Sequence, residues 1–182
     1  MQNTLFYIVE QFKKPTDNLL EIVKNHSFIK YGEKCETSVF AYQTLFKGLK
    51  KVFNVDGYDI DFLESGKPVM DGFSVSLSHT DGLVAVAFTK GNLPVGIDLE
   101  VVGNKKSERL SELLGLDSTA SIDEQYLAFT KRESVIKAHN LTMLTRQNLE
   151  FKGESKIVEY NGVKYALSIY FDGVIKEIKL WK

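Results

Sequence analysis

Residues 73–101 read FSVSLSHTDGLVAVAFTKGNLPVGIDLEV, and this stretch decides the fold class. Phe73, Val75 and Leu77 alternate with Ser74, Ser76 and Ser78, the period of a strand with unlike faces. A turn at His79-Thr80-Asp81-Gly82 leads into the apolar run from Leu83 to Phe88, and a loop at 90–94 leads into a third strand over 95–101. The pattern predicts an antiparallel meander. Towards the N-terminus, Gly66-Lys67-Pro68 is a loop, because glycine permits a tight approach and proline biases the residue before it away from α geometry. Before that loop, Phe40, Leu45, Phe46, Leu49, Val52 and Phe53 recur at three- and four-residue steps, predicting a helix capped by Thr37 or Ser38. A further helix is expected after Pro15-Thr16-Asp17, and the β-branched and aromatic run from Thr4 to Val9 reads as a first strand. Towards the C-terminus, Ser121-Ile122-Asp123-Glu124 has capping-box spacing and opens a helix through about Ala138. Asn161-Gly162 and Asp172-Gly173 then give two hairpin signals. Each half is helix followed by antiparallel strands, which predicts an α+β chain of two similar lobes, 1–101 and 102–182, each with helices on a small antiparallel sheet.

Composition narrows the function classes. The chain has 182 residues, 43% hydrophobic and 26% charged, enough for a core without a metal or disulfide staple. With 23 Lys+Arg against 24 Asp+Glu, no global attraction to nucleic acid or anionic membrane is expected, so an anionic ligand needs a local cluster. The single cysteine, Cys35, cannot form an internal disulfide and is expected as a buried thiol. The first apolar run, Leu5 to Val9, is too short for a signal sequence, and nothing approaches the ~20 residues that span a bilayer. A cytoplasmic monomer is expected.

Three places carry candidate chemistry. In Val95-Gly96-Ile97-Asp98-Leu99-Glu100-Val101 the odd positions form an apolar face and leave Asp98 and Glu100 on the other, about 7 Å apart. Paired oxygen ligands beside a glycine suit a hard cation such as Mg²⁺; a plain edge strand with solvated acids is the alternative. In Phe129-Thr130-Lys131-Arg132-Glu133-Ser134-Val135-Ile136-Lys137, Glu133 falls on the stripe of Tyr126, Phe129 and Ile136. It either pairs with Lys137 one turn on, or joins Asp98 and Glu100 as a ligand or base while Lys137 meets a phosphate. His79, after Ser78, stands at a turn where an imidazole can enter a crevice, whereas His26 and His139 have no metal-spaced neighbours and read as structural.

In order, Gly66-Lys67-Pro68, the block from Phe73 to Thr80, Val95 to Glu100, and Phe129 to Lys137 resemble the 4′-phosphopantetheinyl transferase superfamily, in particular its surfactin-synthetase-activating branch. The resemblance implies two α+β lobes with coenzyme A between them. It implies transfer of the phosphopantetheine arm to a serine of an apo acyl or peptidyl carrier protein, with release of 3′,5′-ADP. By similarity, Asp98 and Glu133 hold Mg²⁺, with Glu100 as a further or water-mediated ligand. The resemblance also implies that Glu133 and Lys137 are the catalytic residues, one as base and the other balancing pyrophosphate charge. By the same similarity, Gly66, Lys67 and Pro68 would border the adenine, and Ser78 and His79 would meet phosphates. The family commonly has arginine where this chain has Gln43, which leaves Lys30, Lys34 and Thr44 as substitutes at the 3′-phosphate. Phe129 replaces the usual tryptophan, and Asn140 and Thr142 stand where glycines are usual. A homologue that binds coenzyme A or a carrier protein without turnover is the alternative.

Overall fold

The structure is a computed structural model that describes residues 3–14, 33–55, 60–103, 111–112, 114–141 and 150–178, the side chains of 33–35 excepted. The helix expected after Pro15 lies outside the described residues, as do Lys30, His26 and the side chains of Lys34 and Cys35.

Strand β1 (Thr4–Gln11) is followed by helix α1 (Glu33–Phe53), the short pair β2 (Asp61–Phe62) and β3 (Pro68–Val69), and strands β4 (Phe73–Thr80), β5 (Leu83–Lys90) and β6 (Gly96–Val101). Helix α2 (Ile122–His139) and strands β7 (Gly153–Tyr160), β8 (Val163–Tyr170) and β9 (Val174–Glu177) complete the described elements. The fold is mixed α+β. One sheet has the order β4-β5-β1-β9, a second β6-β8-β7, and β2 pairs with β3 alone.

β5 explains the layering. All of its residues except Lys90 are buried, as expected of a near-continuous apolar run with both faces covered. Val84, Val86 and Phe88 face the aromatic-rich side of α1, while Leu83, Ala85 and Ala87 face Val95, Ile97, Leu99, Leu167 and Ile169 of the second sheet. Each fully buried aliphatic side chain in this middle layer contributes roughly 1.5–3 kcal/mol. The outer face of the second sheet is covered by α2. The layers therefore run α1, first sheet, second sheet, α2.

Four expectations are corrected. β6 does not extend the meander: β4 and β5 form a hairpin, but β6 leaves and pairs antiparallel with β8. Its apolar face is needed against the inner face of the first sheet, and a place in that sheet could not supply this. The signal at Asp172-Gly173 is not a hairpin, because β9 crosses to pair in parallel with β1, where Val174 N–H donates to Asn3 O at 3.0 Å. A strand from the C-terminal half thus completes the sheet of the N-terminal half. α1 begins at Glu33, so Thr37 and Ser38 lie inside it rather than at its cap. Finally, the buried positions of α2 are Gln125, Thr130, Ser134, Val135 and Ala138, while Tyr126, Phe129 and Ile136 are only partly covered.

The reason is close approach. A Cβ at Gly96 would lie 2.8 Å from the Ser134 carbonyl carbon and 2.9 Å from Ala138 N, overlapping the carbonyl oxygen between them. Only small residues on α2 and a glycine on β6 let the helix sit this low. The capping box holds the other end: Ser121 N–H donates to Glu124 Oε2 at 2.7 Å and Glu124 N–H to Ser121 Oγ at 3.2 Å. Gly96→Ala should lift α2 off the sheet and cost about 3 kcal/mol or more. Urea unfolding checks this, and a loss below about 1 kcal/mol would show that the helix relaxes freely.

Candidate functional site

β4 and β6 belong to different sheets yet run side by side, joined through serine side chains. Ile97 N–H donates to Ser76 Oγ at 3.1 Å and Leu99 N–H to Ser78 Oγ at 3.2 Å. Ser76 and Ser78 are therefore buried in a seam, and these two polar positions of β4 do not face solvent. Between Ile97 and Leu99, Asp98 turns to the α2 side and is only 3% exposed, so it is not a solvated edge-strand acid, while Glu100 is half-buried.

Lys137 is what compensates it. The ammonium lies 2.6 Å from Asp98 Oδ1 and also donates to Ser78 Oγ at 3.1 Å and to the Ile97 carbonyl at 3.2 Å. Ser78 Oγ itself donates to Asp98 Oδ1 at 3.0 Å. The ion pair seen at Lys137 is thus across the seam to Asp98, not along the helix to Glu133.

One side of this cluster is satisfied and the other is not. Asp98 Oδ2 and Glu133 Oε1 are both buried without a hydrogen-bond partner. Burial raises the pKa of Glu133, and Asp98 raises it further, against the opposing pull of Lys137 and Arg132. Glu100 is raised by burial, then by Asp98, with Glu133 adding to the effect and Lys137 opposing it. Asp98, Glu100 and Glu133 therefore act on one another as a cluster, with excess negative charge where oxygen atoms lack donors. That donor set fits a hard divalent cation, which typically takes one or two protein carboxylates and completes its shell with water and phosphate. Among the described residues, no three His, Cys, Asp or Glu side chains are arranged to enclose a metal ion. The fit therefore rests on the carboxylate pair.

Beside the cluster opens a cleft of about 430 Å³. One wall is Ser65, Gly66, Lys67 and Pro68 of the β2–β3 loop with Phe62; the other is Ile136, Lys137, Asn140 and Leu141 at the end of α2. Its floor includes Ser76, Leu77 and His79 of β4, and Ser38 and Tyr42 of α1 close it. His79 Nε2 lies 3.1 Å from Ser38 Oγ. Tyr42 packs edge-on to Phe62 with centroids 6.0 Å apart, and burial pushes its phenol pKa far up, so it stays neutral. Lys137 joins cleft and cluster, lining the first and bonding the second.

Gly66, Lys67, Pro68, His79 and Lys137 line the cleft, while Ser78 and Asp98 bond Lys137, and Glu100 and Glu133 act electrostatically on Asp98 behind it. The structure does not bring Thr44 to them. Thr44 is fully buried, its hydroxyl donating to Glu10 Oε2 at 3.1 Å, and it is not part of the cleft wall. Gln43 is half-buried on α1. His139 packs edge-on to Tyr170 at 5.1 Å, a structural contact. Sequence reading missed Ser38, Tyr42, Phe62 and Ser65, whose only signal was position near the motif blocks, since they reach the cleft through tertiary packing. No family model matches the chain, and no curated protein matches it.

Because the pKa values of Glu100 and Glu133 are raised above the ordinary 4.5, their charged forms weaken the fold at neutral pH. Glu133→Gln and Glu100→Gln should each raise Tm by about 1–3 °C at pH 7 without divalent ions, a modest gain because both groups are partly solvated. The gain should vanish below pH 4.5, where the carboxyls are protonated in folded and unfolded chains alike. Calorimetry against pH checks this, and a lower Tm at pH 7 would contradict the cluster's charge excess.

Proposed function

We propose that the protein is a Mg²⁺-dependent 4′-phosphopantetheinyl transferase of the superfamily its motifs resemble, acting as a cytoplasmic monomer on apo acyl or peptidyl carrier proteins. The observation that carries this reading is convergence. Three of the four motif stretches, Gly66 to Pro68, Phe73 to Thr80 and Phe129 to Lys137, line one cleft, and the fourth, Val95 to Glu100, is tied to it through the ion pair of Asp98 with Lys137. Chance matches to separate motifs have no reason to assemble in this way.

On this reading, α1 with its sheet and α2 with its sheet are two lobes, and coenzyme A lies between them. The carrier serine attacks the phosphorus that bears the pantetheine arm, the phosphoanhydride bond breaks, and 3′,5′-ADP leaves. When bound, Mg²⁺ held by Asp98 and Glu133, with Glu100 nearby, supplies charge neutralisation on the pyrophosphate. Lys137 adds a fixed positive charge beside it. Glu133 accepts the serine proton, directly or through water. His79, with Ser38 beside it, lies on the cleft floor where an anionic group can be met.

Mass spectrometry of several apo carrier proteins, incubated with the protein, coenzyme A and Mg²⁺, tests this directly. The wild type should add phosphopantetheine to at least one carrier, and excess EDTA, Asp98→Asn or Glu133→Gln should abolish it. Lys137→Met should lower kcat by at least ~100-fold, the scale of removing a preorganised charge. Binding of coenzyme A with no adduct on any carrier would favour the non-catalytic homologue instead.

A further inference from the structure

An α-helix ends in carbonyls that none of its own amides can reach. α2 meets this need in two ways. Asn140 turns into the left-handed region (φ 53, ψ 44), and its N–H and that of Leu141 both donate to Ile136 O. The next carbonyls, of Lys137 and Ala138, are met from elsewhere: Lys67 Nζ donates to them at 2.8 and 2.9 Å. Lys67 stands on the loop between β2 and β3. A lysine from one wall of the cleft therefore caps the helix that forms the other wall. Ser65 Oγ donates to Asn140 Oδ1 at 2.6 Å and spans the same gap beside it.

We infer that Lys67 is a positioning residue, which clamps the β2–β3 loop to the end of α2 and thereby fixes where Lys137 presents its ammonium. The coupling runs through a single residue. Lys67 holds the Lys137 carbonyl, while Asp98 and Ser78 hold the Lys137 ammonium. Lysine has a long flexible stem, so its head group is well placed only when the backbone beneath it is fixed. Capping by a cation is also favourable in its own right, since the C-terminal end of a helix carries partial negative charge. Burial works against that charge and lowers the pKa of Lys67, and the two carbonyls are the compensation offered. Two of its three N–H donors are committed to the helix, so the ammonium keeps one for any other partner.

This inference rests on the proposed transfer only for the purpose of Lys137, so its test has one arm that needs no substrate. Hydrogen exchange of the free protein, read by mass spectrometry, should show amides 137–141 exchanging about tenfold faster in Lys67→Met than in the wild type, with Lys67→Arg between them. In the carrier assay, kcat of Lys67→Met should fall about tenfold while KM for coenzyme A moves less than about threefold, and Lys67→Arg should recover part of the loss. Unchanged exchange at 137–141 would overturn the clamp. So would a tenfold rise in KM at unchanged kcat, the mark of a direct ligand contact. If Lys67→Met does not fold, Lys67→Gln is read by the same two measurements. A wild type without transfer activity would refute the proposed reaction alone, and the exchange result would then decide the clamp.

Discussion

Two strand edges that share no ladder, β4 and β6, are held together by the hydroxyls of Ser76 and Ser78, and the rest of the site depends on this contact. A backbone ladder would have merged the sheets and consumed the carbonyls along the join. Serine bridges keep the sheets distinct and leave the Ile97 carbonyl available to Lys137. They also make the seam polar enough to admit a carboxylate. Burying Asp98 without a partner would cost several kcal/mol, and the short contact to Lys137 with the Ser78 hydrogen bond offsets that cost on one oxygen only. The other oxygen stays unmet, and the charge of Asp98 is felt at Glu133. The seam thus holds the fold together and produces the charge imbalance in the same few residues.

Much of this was legible locally. Period two placed Asp98 and Glu100 opposite the core face of β6, and the capping box located the start of α2. The tight turns at Asp81-Gly82 and Asn161-Gly162 were readable because each is a short-range device. Two of the failures were questions of distant pairing. Nothing between 90 and 95 says that β6 will abandon β5 for β8, and nothing after Asp172 says that β9 will cross to β1. Those choices are set by which apolar faces can cover one another once both sheets exist. The same limit governs Lys137. Along the sequence its natural partner is Glu133 one turn back, and only the packing of α2 against Gly96 brings Asp98 closer.

The buried face of α2 shows a different limit. Aromatic and aliphatic residues advertise a core stripe, so Tyr126, Phe129 and Ile136 drew the reading. The helix instead buries Thr130, Ser134 and Ala138, spaced four apart, against a glycine. Small residues make a weak hydrophobic signal but permit close approach, and here approach is what matters. Thr130 Oγ1 reaches Ser168 Oγ at 2.8 Å, which in turn lies 2.8 Å from Ser155 Oγ, so hydroxyls satisfy one another beneath the helix. A stripe of threonine, serine and alanine facing a strand glycine was the available clue.

Close approach also explains why the acids are organised at all. Consecutive residues on an α-helix are about 100° apart, so turning α2 by one residue would carry Glu133 and Lys137 away from Asp98 together. The Ser134 carbonyl against Gly96 forbids that turn, because any other phase brings a side chain into a space that lacks room for one Cβ. A contact between large apolar side chains would tolerate rotamer changes and small rotations. A backbone-to-backbone contact does not. The angular precision of the carboxylate cluster is therefore inherited from residues that carry no chemistry of their own.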